Sequence, residues 1–409
     1  MNTKNKLKIF NDPIYGFITI PSTLIFDLIA HPYFQRLRRI TQMGLSYLVY
    51  PGAHHTRFHH ALGSLHLMQK AVRILKFKGT RISKAEENAL YVAILLHDIG
   101  HGPFSHAIEH SLLEGVNHEF ISLRFMEILN DEFNGQLSLA ITMFKGDYKR
   151  PFFGQLISGQ LDMDRSDYLK RDSFYTGVSE GNINSERLIS MMNVVSDELV
   201  IEEKGIYSIE KFLSARRLMY WQVYLHKTGV VAENMIINVL KRAKMLSQSN
   251  VPLFVSPGLD FFLKIEIHPS KLTKAILENF SELDDNDLVS ALKSWKNHPD
   301  FVLSNLSKRL LDRQLLKIEF YSKHDIDSAL EKIKKKFKVH LNLDDTEIPF
   351  FVFDGVISNT GYDSEQHPIS ILHKDGKTSN LNESSKLLNV KGLTKKVTQY
   401  YICSPKVLL

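Results

Sequence analysis

An apolar helical run that stops abruptly on three histidines and an aspartate, Leu95–His106 (LLHDIGHGPFSH), constrains this 409-residue chain more than any other stretch. Upstream, Ser83 with Glu86 three residues later is a capping-box signature, and Leu90, Ala93, Ile94 and His97 recur at helical spacing. The expected helix delivers His97 and Asp98 at its C-terminal end, where Gly100, Gly102 and Pro103 stop it. At a helix end two adjacent side chains converge on one point more easily than mid-helix neighbours about 100° apart. The pair therefore suits a metal clamp. For an isolated His-Asp pair the commoner role is capping, with the imidazole on the last carbonyls and the carboxylate on the next turn. The rest of the chain has to decide.

An apolar content of 44% at this length is ample for one large domain or two to three ordinary ones. No apolar run reaches membrane-spanning length, and the N-terminus MNTKNKLKIFNDP lacks the apolar centre of a secretory signal, so a cytoplasmic protein without membrane association is expected. Cys403 is the only cysteine, which excludes an internal disulfide and a thiolate metal cage. The net charge of +6 suits a polyanionic ligand and equally an ordinary solvated surface. Histidine says more: eleven of the eighteen fall in the first 118 residues, and neutral imidazole is the commonest metal ligand.

Residues 7–20 read as two short strands about the turn Asn11-Asp12-Pro13, with Gly16 a second break. Helical spacing follows from Pro21 to Gly44, and Arg36, Arg38 and Arg39 there suit either a solvated face or phosphate contact. The segment Tyr50–Gly63 carries four histidines; a helix is expected from Thr56 to about Phe77, with Arg57 and His60 on one face and His54, His55 and His59 exposed. Further helices are expected over Ile108–Leu113 and His118–Leu129, where His106 and Glu109, three apart, form a candidate acid/base pair. Residues 156–172 place Asp162, Asp164, Asp167 and Asp172 on a helical segment, with Asp164, Tyr168 and Asp172 at four-residue intervals and Arg165 and Arg171 beside them. A hairpin is expected over 193–208 and one long helix over 212–246. Ser247–Pro257 is the candidate boundary between a core of residues 1–246 and a C-terminal region of 247–409, which reads as helical to Leu316 and then mixes a basic helix (EKIKKKFKVH) with β-like segments. The fold class is mainly α, with short β-hairpins and a smaller α+β C-terminal region.

Collected along the chain, His60, His97-Asp98 and Asp164 supply two imidazoles and two carboxylates, a mixed N/O set suited to Mn, Fe or Zn with positions left for water and a phosphate oxygen. At this point the sequence resembles the HD-domain superfamily of metal-dependent phosphohydrolases, whose motif runs H…HD…D. Asn11-Asp12-Pro13, FQRLR from Phe34 to Arg38, Tyr50-Pro51-Gly52, Arg57-Phe58, His60, Leu96–His106, His118 and Asp164–Asp172 are similar to the deoxynucleoside triphosphate (dNTP) triphosphohydrolase branch.

The resemblance implies an HD-domain helical core over residues 1–246 and hydrolysis of a dNTP to deoxynucleoside and inorganic triphosphate. It implies metal ligation by His60, His97, Asp98 and Asp164, with Mg possible on the triphosphate. Arg57 and Arg165 would contact phosphates, and His101 and His106 would lie near the α-phosphate. His118 matches a general acid, and Glu109 stands where the human enzyme has aspartate; His106, Glu109 and His118 are the implied catalytic set. Gln42, Tyr168, Asp172, Arg216 and Tyr224 match residues that line deoxyribose and phosphates. Some relatives assemble as homo-oligomers around an activating nucleotide; Asn11, Gln35, Arg38, Arg187 and Lys227 resemble parts of that site, so a dimer or tetramer is implied. Ala30 replaces the aspartate that reads guanine in the human enzyme, which argues against a guanine-specific activator. The alternatives are an HD phosphohydrolase acting on another nucleotide phosphoester and a nucleotide- or nucleic-acid-binding regulator using the basic run Lys332–Lys338.

Overall fold

The structure is a computed structural model describing residues 8–406 apart from 105, 114, 269–271 and 386–389; the side chains of His106 and Lys391 also lie outside the described part. The described residues open with the two expected strands, β1 (Ile9–Asp12) antiparallel to β2 (Gly16–Thr19), but Asn11 and Asp12 pair within β1 and the turn falls at residues 13–15. Asp12 Oδ1 closes its turn by accepting the N–H groups of Ile14 at 2.9 Å and Tyr15 at 3.0 Å. Helix α1 (Thr23–Ala30) follows, capped by Ser22.

The basic cluster after α1 divides, with Arg36 turned inward and the other two on a solvated face. Arg36 is 1% exposed and donates to the carbonyls of Ile99 (3.0 Å), His101 (2.9 Å) and Leu283 (3.3 Å), while Arg39 pairs with Asp284. Arg38 and Arg39 stay at the surface, Arg38 over the Phe58 ring. The partners of Arg36 come from distant parts of the chain, and that is why a local reading misses them.

The centre of the molecule is α2 (Arg57–Phe77), which packs on α3 (Lys84–Leu96) and on α5 (Met163–Thr176), with α4 (His118–Glu132) beyond the stop after α3. Phe58, Leu62, Leu65, Leu67, Met68, Val72 and Leu75 of α2 are buried on most of its faces, as expected of a helix enclosed by others. Each such side chain contributes about 1.5–3 kcal/mol by leaving water. Gly63 marks the closest approach of α2 to α5: a Cβ there would run into the side chains of Asp167 and Arg171.

Strands β3 (Met192–Val195) and β4 (Glu198–Glu202) form a hairpin shorter than expected, turning through Ser196 and Asp197, both at positive φ. Its expected second half instead enters α6 (Ile206–Met219). The single helix expected over 212–246 is two, α6 and α7 (Lys227–Gln248), joined by a π-helical turn at Tyr220–Tyr224. His226 starts α7 by accepting the Thr228 N–H on its side chain. Apolar spacing continues through this joint, so periodicity alone conceals it.

Beyond residue 247, helices Pro257–Lys264 and Lys274–Ser281 lead to α8 (Asp285–Trp295) and α9 (Phe301–Leu311), the latter against α7. Strands β5 (Lys317–Tyr321), β6 (Phe353–Asn359) and β9 (Val397–Ser404) make an antiparallel sheet in the order β5-β9-β6. The basic stretch forms helix α10 (Ile326–Leu341). Strand β7 (Ser370–Leu372) runs parallel to β4, and β8 (Thr378–Asn380) completes a sheet in the order β3-β4-β7-β8. Buried apolar residues of both parts join one continuous cluster. The fold is mainly α with small β regions, and among the described residues no helix is long and apolar enough to cross a membrane.

Candidate metal centre and its cavity

Four side chains meet where α3 stops. His97 follows the last residue of α3, and its Nδ1 lies 2.7 Å from the Ile94 carbonyl. A carbonyl only accepts, so Nδ1 carries the proton and Nε2 presents a lone pair. His60, in the first turn of α2, has Nδ1 2.8 Å from Asp167 Oδ2, which fixes the same tautomer. The two Nε2 atoms face each other at 3.4 Å. Asp164 Oδ1 lies 3.0 Å from His60 Nε2 and 3.5 Å from His97 Nε2. Asp98 completes the group, Oδ2 3.7 Å from His60 Nε2 and Oδ1 3.5 Å from His97 Nε2.

Two lone pairs and the Asp164 carboxylate converge on one another, with Asp98 alongside, and such a set calls for a positive charge between its members. The pKa values agree. Burial alone would depress His60, but hydrogen bonds to Asp164 and Asp167 and their charges outweigh it and push the imidazole up to about 10. His97 is raised for the same reason, with burial opposing and Asp98 and Asp164 prevailing. Asp164 is held well below the usual carboxylate range against its burial by the two histidines. This donor set fits a divalent cation of the borderline class.

The candidate ligands are held from behind. Asp167 receives Arg171 Nε at 2.8 Å on Oδ2 and Arg171 Nη2 at 3.0 Å on Oδ1, and Arg171 Nη1 reaches Asp12 Oδ2 at 2.8 Å. Burial would raise the Asp167 pKa, yet Arg171 and His60 bring it down to about 2. A buried relay thus runs from the N-terminal hairpin to His60, and such partners fix ring orientation and ligand basicity.

A second group lies against the first. Asp98 Oδ1 is 3.4 Å from His101 Nε2, and its Oδ2 accepts from Arg57 Nη1 at 2.5 Å. Burial opposes ionisation of Asp98, but His97, His101 and Arg57 hold it well below the usual range. Burial, then Arg57, keep His101 far below its ordinary pKa and so neutral. The rings of His101 and His118 stack with centroids 3.8 Å apart, and His118 Nδ1 lies 3.0 Å from Glu109 Oε1. Gly100 lets the turn touch α4: a Cβ there would strike the His118 carbonyl and the Ser122 N–H. His106 opens the one-turn helix His106–Glu109, but its side chain lies outside the described residues.

Both groups border a cavity of about 490 Å³. Gln42, Arg57, His101, His118, Arg165, Tyr168, Asp172 and Tyr224 line it with Asp98 and Asp164, joined by Met43–Ser46, Phe104, Tyr220, Leu225, Gly229, Glu233 and Ile236. Arg165 also bonds Asp162 and the Gly159 carbonyl. Arg216 is not among the lining residues; its Nη1 donates to Gln160 at 3.1 Å and its guanidinium lies 5.8 Å from the Tyr220 ring centroid. Asn11, Arg38, Arg187 and Lys227 are surface side chains, and Gln35 donates to the Ile29 carbonyl and accepts from Arg38.

His55, expected to be exposed, is buried: its Nε2 lies 2.7 Å from Asp172 Oδ1 and its ring stacks on Tyr175 at 4.4 Å. Tyr224 donates its hydroxyl to the other Asp172 oxygen at 2.8 Å. Sequence reasoning also gave no role to Asp167, although its four-residue spacing from Arg171 is a readable pairing signal. It offered no signal for Phe104 or Tyr220.

Residues 57–146 match the HD domain family and residues 183–252 the HD associated region. The Bacillus subtilis protein YwfO, described as uncharacterized, is 33% identical over 420 residues, covering 98% of this chain and 93% of its own length. A deoxynucleoside triphosphate triphosphohydrolase SAMHD1 homolog of Dictyostelium discoideum is 31% identical over 261 residues, 59% of this chain and 50% of that protein, so the match spans about half of that relative. A crystal structure of a phosphohydrolase from Bacteroides thetaiotaomicron superposes with a TM-score of 0.93 at 51% identity, covering 98% of this chain and all of that one. HD domains bind divalent metals, and the chain carries the His/Asp groups to hold one. It belongs to the HD-domain phosphohydrolase family, in the branch that resembles the deoxynucleoside triphosphate triphosphohydrolases.

Proposed function

We propose that the protein hydrolyses dNTPs to deoxynucleoside and inorganic triphosphate. The observation that carries this reading is the cavity itself: the His60–His97–Asp164 and Asp98–His101–His118 groups border it side by side, and Tyr168, Asp172, Tyr224 and Gln42 line the same space. A divalent cation held by His60, His97, Asp98 and Asp164, of the Mn, Fe or Zn class, would polarise the α-phosphoryl group and acidify water, with Mg on the triphosphate.

The residues divide the remaining work. Arg57 and Arg165 offer cations to the phosphates, and His101 would stand beside the α-phosphate. Water bonds to the α-phosphorus as the bond from phosphorus to O5′ breaks. His118 supplies the proton that O5′ requires, the proton shed by water passes to solvent, and solvent reprotonates the imidazole. Glu109 fixes His118 through Nδ1 and leaves Nε2 as the proton carrier. Burial raises the pKa values of Tyr168 and Tyr224 well above that of free phenol, so both remain neutral, and Tyr168 packed beside C2′ excludes a ribose hydroxyl sterically.

Purified protein supplied with Mn²⁺ and single dNTPs is expected to release deoxynucleoside and triphosphate; dNMP with pyrophosphate would overturn the cleavage position. Assembly as a homodimer or tetramer around an activating nucleotide, through Asn11, Gln35, Arg38, Arg187 and Lys227, belongs to the same reading. Light scattering with and without dNTP mixtures tests it, and a monomer in both conditions would overturn it.

A further inference from the structure

One carboxylate from the C-terminal half ties together two segments of the cavity wall. Asp285, at the start of α8, is 8% exposed and does not itself line the cavity. Its Oδ1 accepts the Phe104 N–H at 2.8 Å, and its Oδ2 accepts both the Thr41 N–H at 2.8 Å and the Thr41 hydroxyl at 2.7 Å. Thr41 directly precedes the wall segment Gln42–Ser46, and Phe104 is itself a wall residue. Phe104 sits at φ +47°, a left-handed conformation that side-chain-bearing residues seldom adopt, so something outside the turn must hold it. Neighbouring contacts brace the same corner: Arg36 joins Leu283 to Ile99 and His101, and Arg39 pairs with Asp284.

We infer that Asp285 is a positioning residue: acting through Phe104 and Thr41, it sets the spacing of the cavity wall and thereby the affinity for substrate, without touching substrate or metal. The inference rests on the reading that this cavity holds the substrate. Only an ionised carboxylate accepts from donors on both sides. An amide in its place offers one accepting oxygen and turns an N–H₂ group toward the other donor.

The test compares Asp285→Asn and Asp285→Ala with Leu306→Ala, a buried position on α9 that is not among the cavity-lining residues. For Asp285→Ala, KM is expected to rise about tenfold with kcat within about twofold and metal content unchanged; for Asp285→Asn the rise is about threefold. Hydrogen exchange of segments 38–46 and 99–104 should accelerate in both. Leu306→Ala should lower Tm and leave KM alone. Unchanged KM in Asp285→Ala, or an equal rise in Leu306→Ala, would overturn the inference; if the alanine variant does not fold, unchanged KM and exchange in Asp285→Asn overturn it. Failure of the proposed function looks different: the wild type releases no triphosphate. The KM ratio is then measured on the nucleotide it does hydrolyse, and the exchange comparison stands either way.

Discussion

The floor and the wall of the cavity are built on different principles. At the floor three of the four candidate ligands have a fixed partner behind them: Asp167 for His60, the Ile94 carbonyl for His97, Arg57 for Asp98. The wall is aromatic and amide-bearing, with Tyr168, Tyr224, Gln42 and Phe104 giving it shape. A floor of converging charges works only when complete, whereas a wall of packed surfaces degrades by degrees. Substitutions should therefore separate into all-or-none losses at the floor and graded changes of selectivity at the wall.

The sharpest way to break this contrast is to remove a ligand. Asp98→Ala or His60→Ala should lower turnover by at least about 10³-fold, given the several kcal/mol a metal contributes to the transition state, while far-UV circular dichroism stays native. Retained activity in both would refute the ligand assignment. His118→Gln should reduce kcat by about 10²–10⁴-fold with metal content unchanged, the range of a lost general acid. Asp167→Asn, one step behind the floor, should weaken metal binding about 10–100-fold; unaltered affinity by metal-buffer titration would show that the relay through Arg171 is only structural.

Proton linkage probes the floor without substitution. His60 is raised to about 10, above its unfolded value near 6.5, so in the metal-free protein its contribution to stability is complete below about pH 6.5 and is lost as pH rises through 10. Metal must displace that proton, so apparent metal affinity should rise with pH, about tenfold per unit for each proton released. Calorimetry at pH 7 in buffers of different ionisation enthalpy counts the protons, and none released would contradict the arrangement. The smallest effect belongs to the wall: Tyr168→Ala should relax discrimination against ribonucleotides by about tenfold, consistent with the modest energy of a steric pocket. A loss of turnover as large as that of the ligand variants would place Tyr168 with the floor instead.

Much of the floor was legible in sequence because its signals are local. The capping box at Ser83, the glycines after Asp98 and the four-residue repeat from Asp164 to Asp172 each announce where a side chain will point. What escaped depends on distant partners. His55 looked exposed among four clustered histidines because Asp172 and Tyr175, which bury it, lie more than a hundred residues away. Arg36 looked available to phosphate because backbone carbonyls near residues 100 and 283 leave no trace in local sequence. The π-helical turn at Tyr220–Tyr224 hid within an unbroken apolar pattern. The placement of the candidate ligands on their elements followed from local chemistry, and the side chains that hold them followed from tertiary contacts.

The parallel pairing of β4 with β7, Val200 opposite Ser370, bears on how the chain is made. All four metal-facing residues leave the ribosome well before β7 exists, and at roughly 5–20 residues per second β4 waits on the order of 10 s for its partner. During that interval the nascent β4 edge, including Val200 and Ile201, has no second neighbour, an opening for wrong strand pairing. Long-range parallel pairing is also slow to form after release, because loop closure precedes any gain from contact. A late step of maturation thus falls to a three-residue strand, and yields of active protein should be more sensitive to translation speed and chaperone supply than the compact helical centre suggests.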